Sequence, residues 1–189
     1  MDVCGKWFDI YANKKTGKVH YSSGDLKFSD NQIQNVFSVL MADMLISVPD
    51  TSSPYGVLYL AFGRGSETWD LYPPDQDYAQ TTLEDEFYRI SVMNDVRYTG
   101  QTSSEYDTLF YYIDPDTYAE SGSVTNAIEA KIFVPEGVAD GIHREFALFG
   151  DDATATQDSG TMINWVVHPQ FDKTGYELTR TVRLIFYER

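Results

Sequence analysis

Cysteine is nearly missing from this 189-residue chain. Cys4 stands alone, so no disulfide can close within the chain, and any metal site would have to come from His, Asp and Glu. On composition, Cys4 reads as a small half-buried thiol. Long hydrophobic runs are missing as well. No stretch approaches the ~20 apolar residues of a membrane-spanning helix, and MDVCGKWFDIYANKK has no apolar run of signal-peptide length. The expectation is a protein that works without crossing or spanning a membrane. Positive charge is scarce: 14 Lys+Arg against 29 Asp+Glu give a formal net charge of −15, which opposes binding to nucleic acid and to anionic lipid.

The motifs of cofactor and reaction chemistry are also lacking. FGRGS contains a GxG, but no lysine and hydroxyl pair follows and no helix pattern begins there, so it reads as glycines closing a strand rather than as a phosphate loop. His20, His143 and His168 are isolated in sequence, which leaves no zinc spacing, and no serine stands in a GxSxG elbow. Glu84, Asp85 and Glu86 are adjacent, and neighbours on a strand face opposite ways. They therefore read as charges at an exposed strand start, not as a glycosidase pair. Asp75 with Asp77, Asp114 with Asp116, and Asp151 with Asp152 lack the twelve-residue calcium loop. No catalytic residue, metal ligand or cofactor is assigned.

What is present is β-pattern and aromatic surface. A chain of this length buries roughly 70% of its extended surface, enough for a full core without staples. KWFDIYANKKTGKVHY reads as a hairpin, with turn chemistry at NKKTGK. In SDNQIQNVFSVLMADML, Ser29 and Gln32 have capping-box spacing, and Ile33, Val36, Phe37, Leu40 and Met44 recur at helical intervals. The expectation there is one helix over about 30–46.

Val57–Phe62, FYRISVMNDVRYTG, TLFYYIDP and IEAKIFVPEG read as strands, and EFALFGDDATATQDSG gives a short strand, an Asp-Asp turn and a polar loop. Ile163, Trp165 and Val167, and then Leu178, Val182, Leu184 and Phe186, alternate as half-buried antiparallel strands. HPQFDKTGY supplies Pro169 and Gly175 at the turn between them. Arg180 falls on the apolar face of the last strand, whether paired, snorkelling or at an edge. About eight strands and one helix make a single all-β domain over 1–189. The expected fold is an antiparallel β-sandwich or jelly-roll-like barrel with the N-terminal helix packed on it.

Two long loops, at about 66–82 and 117–127, interrupt the strands, and loops of that length commonly carry function. Tyr, Phe and Trp number 14, 11 and 3, and several stand in loops beside acids. Trp69, Asp70, Tyr72, Asp77, Tyr78 and Tyr106 are thus candidates for an interface or ligand loop. Rigid rings offer contact area to a protein surface, and a flat ring beside a carboxylate also suits a sugar. Charge is split too. Residues 67–120 hold 13 acids and two bases, whereas 171–189 hold four bases and three acids, a polarity that suits head-to-tail contact between copies.

The order of the expected helix, then YLAFGRGSETWD, then TTLEDEFYR, then IHREFALFGDDATATQDSGTMINWVVHPQFDKTGYELTRTVRLIF, over most of residues 30–186, resembles a pattern in structural proteins of tailed bacteriophages. The matching residues are Gly63 and Gly65; Thr82, Leu83, Glu86 and Arg89; Glu145, Leu148, Phe149 and Gly150; Gly160 to Asn164; and Leu178 to Phe186. The resemblance implies a non-enzymatic virion component of tail, baseplate, fibre, neck or head, made in the host cytoplasm. Its expected partners are other virion proteins and further copies of itself. The alternative expectation is a carbohydrate-binding β-sandwich that contacts a host surface glycan.

Overall fold

A computed structural model describes residues 2–12, 15–17, 19–21, 29–33, 56–75, 77–92, 108–122, 125 and 127–187. They form ten strands: β1 (Asp2–Ala12), β2 (Val19–Tyr21), β3 (Ser29–Ile33), β4 (Val57–Gly63), β5 (Glu86–Ser91), β6 (Thr108–Tyr112), β7 (Ala127–Val134), β8 (Ile142–Gly150), β9 (Thr161–Asp172) and β10 (Glu177–Tyr187). Every strand pairing is antiparallel, and the only helical element among the described residues is a 3-10 turn at Glu67–Asp70. The expected all-β antiparallel class is what the chain adopts.

The expected helix over 30–46 needs correction at its start. Ser29–Ile33 is strand, with Trp7↔Ser29 and Gly5↔Asn31 in register on β1 and Gln32↔Trp165 on β9. The ladder bonds offered by two neighbouring strands outweigh a capping preference worth about 1 kcal/mol. Residues 34–46 lie outside the described residues, as do the side chain of Cys4 and all of Tyr106.

The chain divides into two compact units, each built from discontinuous segments. The first comprises Met1–Asn31, Asn94–Asp140 and Lys173–Arg189. Here the order is β6-β7-β10-β1, with β2 closing the expected hairpin on β1. Direct register pairs Tyr111↔Glu129 and Arg183↔Glu129 set a polar row across three strands. Tyr111 donates its hydroxyl to Glu129, Arg183 Nε lies 2.5 Å from Glu129 Oε2, and the guanidinium sits 4.5 Å over the Tyr118 ring.

Buried Lys173 closes the turn before β10. Its Nζ donates to the carbonyls of Pro135 (2.8 Å) and Tyr176 (3.1 Å) and reaches Asp140 at 3.4 Å. Arg180 is fully buried, and β10 is flanked by β1 and β7, so it neither snorkels nor sits at an edge. Lys173 and Arg180 of the basic C-terminal run are thus buried, and Arg183 is engaged by Glu129.

The second unit comprises Gln32–Met93 and Gly141–Asp172, with the order β5-β4-β8-β9. Strand β8 is the centre: His143 to Gly150 are all buried. Leu58, Ala61, Leu83, Ala147, Phe149, Ala153, Met162 and Trp165 form a hydrophobic core, and each large side chain there contributes about 1.5–3 kcal/mol by leaving water. Pro169 does not mark a turn, as expected from sequence. It lies inside β9, and the chain turns only at 173–176, with Gly175 at φ 77°. Strands β9 and β10 are consecutive, yet they pair with different partners.

Candidate functional site

The glycines of YLAFGRG serve packing. A Cβ at Gly63 would overlap the Glu145 carboxylate, and one at Gly65, where φ is +55°, would overlap the benzo ring of Trp69. Glu145 is held in that contact by two donors, the Asp85 N–H (3.0 Å) and the Trp165 indole N–H (2.8 Å). Burial pushes the Glu145 carboxyl above its usual range, and the two donors oppose the shift.

Glu86 and Arg89, at the start of β5, form a buried bidentate pair with nitrogen–oxygen distances of 2.5 and 2.7 Å. Arg89 Nη1 also donates to the carbonyls of Thr154 (2.9 Å) and Ser159 (3.0 Å), while the Asp158 N–H reaches Glu86. The pair thus ties down the loop after β8. Glu86 is not the exposed strand-start charge expected for it. Of the residues that carry the sequence resemblance, Glu86, Arg89 and Glu145 thus lie in the second unit as buried polar groups that position loops, whereas Leu178 to Phe186 belong to β10 of the first.

From that base rises the loop between β4 and β5. Ser66 caps the 3-10 turn by accepting the Thr68 N–H, and the N–H groups of Leu71 and Tyr72 return to the Thr68 carbonyl. Trp69 packs edge-on against Trp165, with ring centroids 6.0 Å apart. Asp70 is gripped by Arg144 of β8 through Nε–Oδ1 and Nη2–Oδ2 bonds, both 3.0 Å. The Arg144 guanidinium holds the Asp70 carboxyl below the usual carboxylate range. The same guanidinium donates to the Arg64 carbonyl and to the Gln170 side-chain oxygen. Asp77 folds the far end of the loop by accepting the Ala79 N–H at 2.9 Å.

Of the six sequence candidates, Trp69 and Asp70 are joined at the base of this loop, and Asp77 serves its turn. Tyr72 and Tyr78 are 78% and 52% exposed, and beside Tyr72 in the chain is a residue sequence reasoning passed over, Leu71, at 79%. Tyr106 lies outside the described residues. Beside the loop is an open cleft of about 530 Å³, walled by Trp69, Asp70 and Pro73 on one side and by Val167, His168, Pro169 and Gln170 of β9 on the other. His168 is not a strand-end residue as expected. It lies within β9, stacked on Phe171 with centroids 5.3 Å apart.

His143 is buried among Phe62, Phe87 and Phe171, with ring centroids 4.9–5.2 Å away. Asp114 is occupied by the N–H groups of Asp116 and Thr117 and the Thr117 hydroxyl, which lower its pKa. No group of three His, Cys, Asp or Glu is placed to hold a metal among the described residues.

Sequence reasoning missed Arg144, Gln170 and Glu145 as partners. The available signal was the run His143-Arg144-Glu145 inside an otherwise apolar strand, where buried charge requires a partner. Comparison with protein-family models, with curated proteins and with solved structures finds no match to this chain.

Proposed function

We propose that this protein is a non-enzymatic structural component of a tailed-phage virion, acting through repeated protein–protein contacts made by the 66–82 loop. One observation carries the reading: Leu71 and Tyr72 are 79% and 78% exposed at the head of a loop whose base is locked by Arg144, Asp70 and the Ser66 cap. Large side chains held out on a fixed loop lose little conformational freedom when a partner covers them, which is the economy of an interface anchor.

The exposed acids Glu67, Asp75 and Asp77 around them favour a neutral or cationic partner surface and repel DNA. Copy number in an assembled particle multiplies modest contacts into a firm hold. In the second unit the buried side chains of Glu86, Arg89, Arg144 and Glu145 position loops, which fits a scaffold. With this reading goes the sandwich or jelly-roll-like form of the all-β class.

The test is to purify particles from the infection that produces the protein, quantify it by mass spectrometry, and locate it in a reconstruction. A fixed copy number with the 66–82 loop at a subunit boundary is the expected result. A protein abundant in infected cells but absent from particles would overturn the reading.

A further inference from the structure

We infer that the cleft between the Trp69 loop and β9 is a binding site for a neutral pyranose unit. The polar part of the argument begins with Arg144. One guanidinium holds the Asp70 carboxylate through both oxygens and also donates through Nη2 to the Gln170 side-chain oxygen. That bond sets the orientation of the Gln170 amide: its oxygen is engaged by Arg144, which leaves the NH2 group, with two donors, on an exposed side chain that lines the cleft.

Each Asp70 oxygen keeps a lone pair beyond its bond to Arg144. An ionised acceptor and an amide therefore line the cleft together, both tied to Arg144 Nη2. Two adjacent ring hydroxyls have the matching need, one donating to the carboxylate and the other accepting from the amide.

The walls suit the rest of such a ring. Trp69, Pro73, Val167 and Pro169 line the cleft with flat or compact apolar surface, against which the C–H face of a sugar can lie. Trp69 is fixed for this by Trp165 on its edge and by Gly65, which has no Cβ to push the indole away. The volume, about 530 Å³, lies within the range of small-ligand sites, and an open side lets a longer glycan continue into solvent.

Charge narrows the class. Asp70 is a carboxylate held ionised, the neighbouring Glu67 and Asp75 are exposed acids, and Arg144 is already engaged, so a uronic or sialic acid would meet like charge. An added peptide strand is a poorer occupant, because Pro169 removes one backbone donor from this stretch of β9. The inference does not rest on the virion reading, since it is tested on the isolated chain.

The experiment is a titration of the ¹⁵N-labelled protein with the methyl glycosides of glucose, galactose and mannose, with N-acetylglucosamine, and with glucuronate as the charged comparison. The expected result is that the Trp69 indole and Gln170 amide signals shift with at least one neutral sugar, with glucuronate weaker. Gln170→Leu changes an exposed side chain and leaves the Asp70–Arg144 pair in place. It should weaken binding about tenfold, the loss expected for a hydrogen bond to a ligand hydroxyl. Absence of any shift across the neutral panel in the folded protein would overturn the inference. Affinity unchanged by Gln170→Leu would also overturn it, as would a shift of these signals by a proline-rich peptide with none by the sugars.

Discussion

Arg144 and Asp70, 74 residues apart in sequence, meet as a bidentate pair with both nitrogen–oxygen distances at 3.0 Å, and the guanidinium is buried while the carboxylate faces the cleft. A loop that displays Leu71 and Tyr72 is thereby anchored to the central strand of its unit. Arg144→Met keeps an unbranched apolar stem but removes the guanidinium and with it the grip. The expected outcome is local: cleavage within 66–82 by a limiting protease rises about tenfold, with little change in the global unfolding midpoint. Peptide mapping of the digest checks it.

The Glu86–Arg89 pair is different because both side chains are buried, 0% and 3% exposed. Removing one partner leaves the other charged and unpaired out of water. Arg89→Met is expected to cost about 3–5 kcal/mol in urea unfolding. The double variant Glu86→Gln with Arg89→Met should recover part of that loss, and a double-mutant cycle reads the coupling directly.

Two glycines separate packing from backbone strain. Gly175, at φ +77° with open space around it, should lose about 1–2 kcal/mol on replacement by alanine, from conformation alone. Gly63 has no positive φ, but its Cβ would collide with the Glu145 carboxylate, so Gly63→Ala should cost more than Gly175→Ala and also disturb the Trp165 environment. Denaturation curves read with intrinsic fluorescence distinguish the two.

Glu145 sets a pH dependence of a stated sign. Burial raises its folded pKa above the ordinary glutamate value, so in the window between the unfolded and folded values the folded state binds more protons. Its contribution to stability is full below the unfolded pKa and declines as pH rises through the folded pKa. Glu145→Gln removes the titration and one negative charge. The stability of the wild type minus that of the variant should therefore fall as pH is raised from about 4 to 7. Urea midpoints for both proteins across that range provide the measurement, and a flat difference would assign the window to other groups.

The strands were readable because alternation reports a half-covered sheet: β6, β7 and β10 announce themselves in TLFYY, IEAKIFV and LTRTVRLIF. Ser29–Ile33 misled because a hydroxyl three residues before a glutamine suits a helix start, while its actual conformation is decided by β1 and β9, distant in sequence. The site was half legible. Trp69 and Asp70 stand out as an aromatic beside an acid in a loop, but the Arg144 that holds Asp70 and the Gln170 that the same guanidinium engages come from β8 and β9, and no local spacing ties residue 70 to residue 144 or 170. The exposed Leu71 carried no signal at all, since a single leucine in a loop reads as a buried anchor as readily as a displayed one.

The central claim is that Leu71 and Tyr72 are displayed for a partner and contribute nothing to the fold. The double variant Leu71→Ser with Tyr72→Ser should unfold within about 0.5 kcal/mol of the wild type. The most direct measurement is its incorporation into particles when it is supplied in place of the wild-type protein during infection. The account predicts a folded, abundant variant that is lost from purified particles, and incorporation at the wild-type level would contradict it.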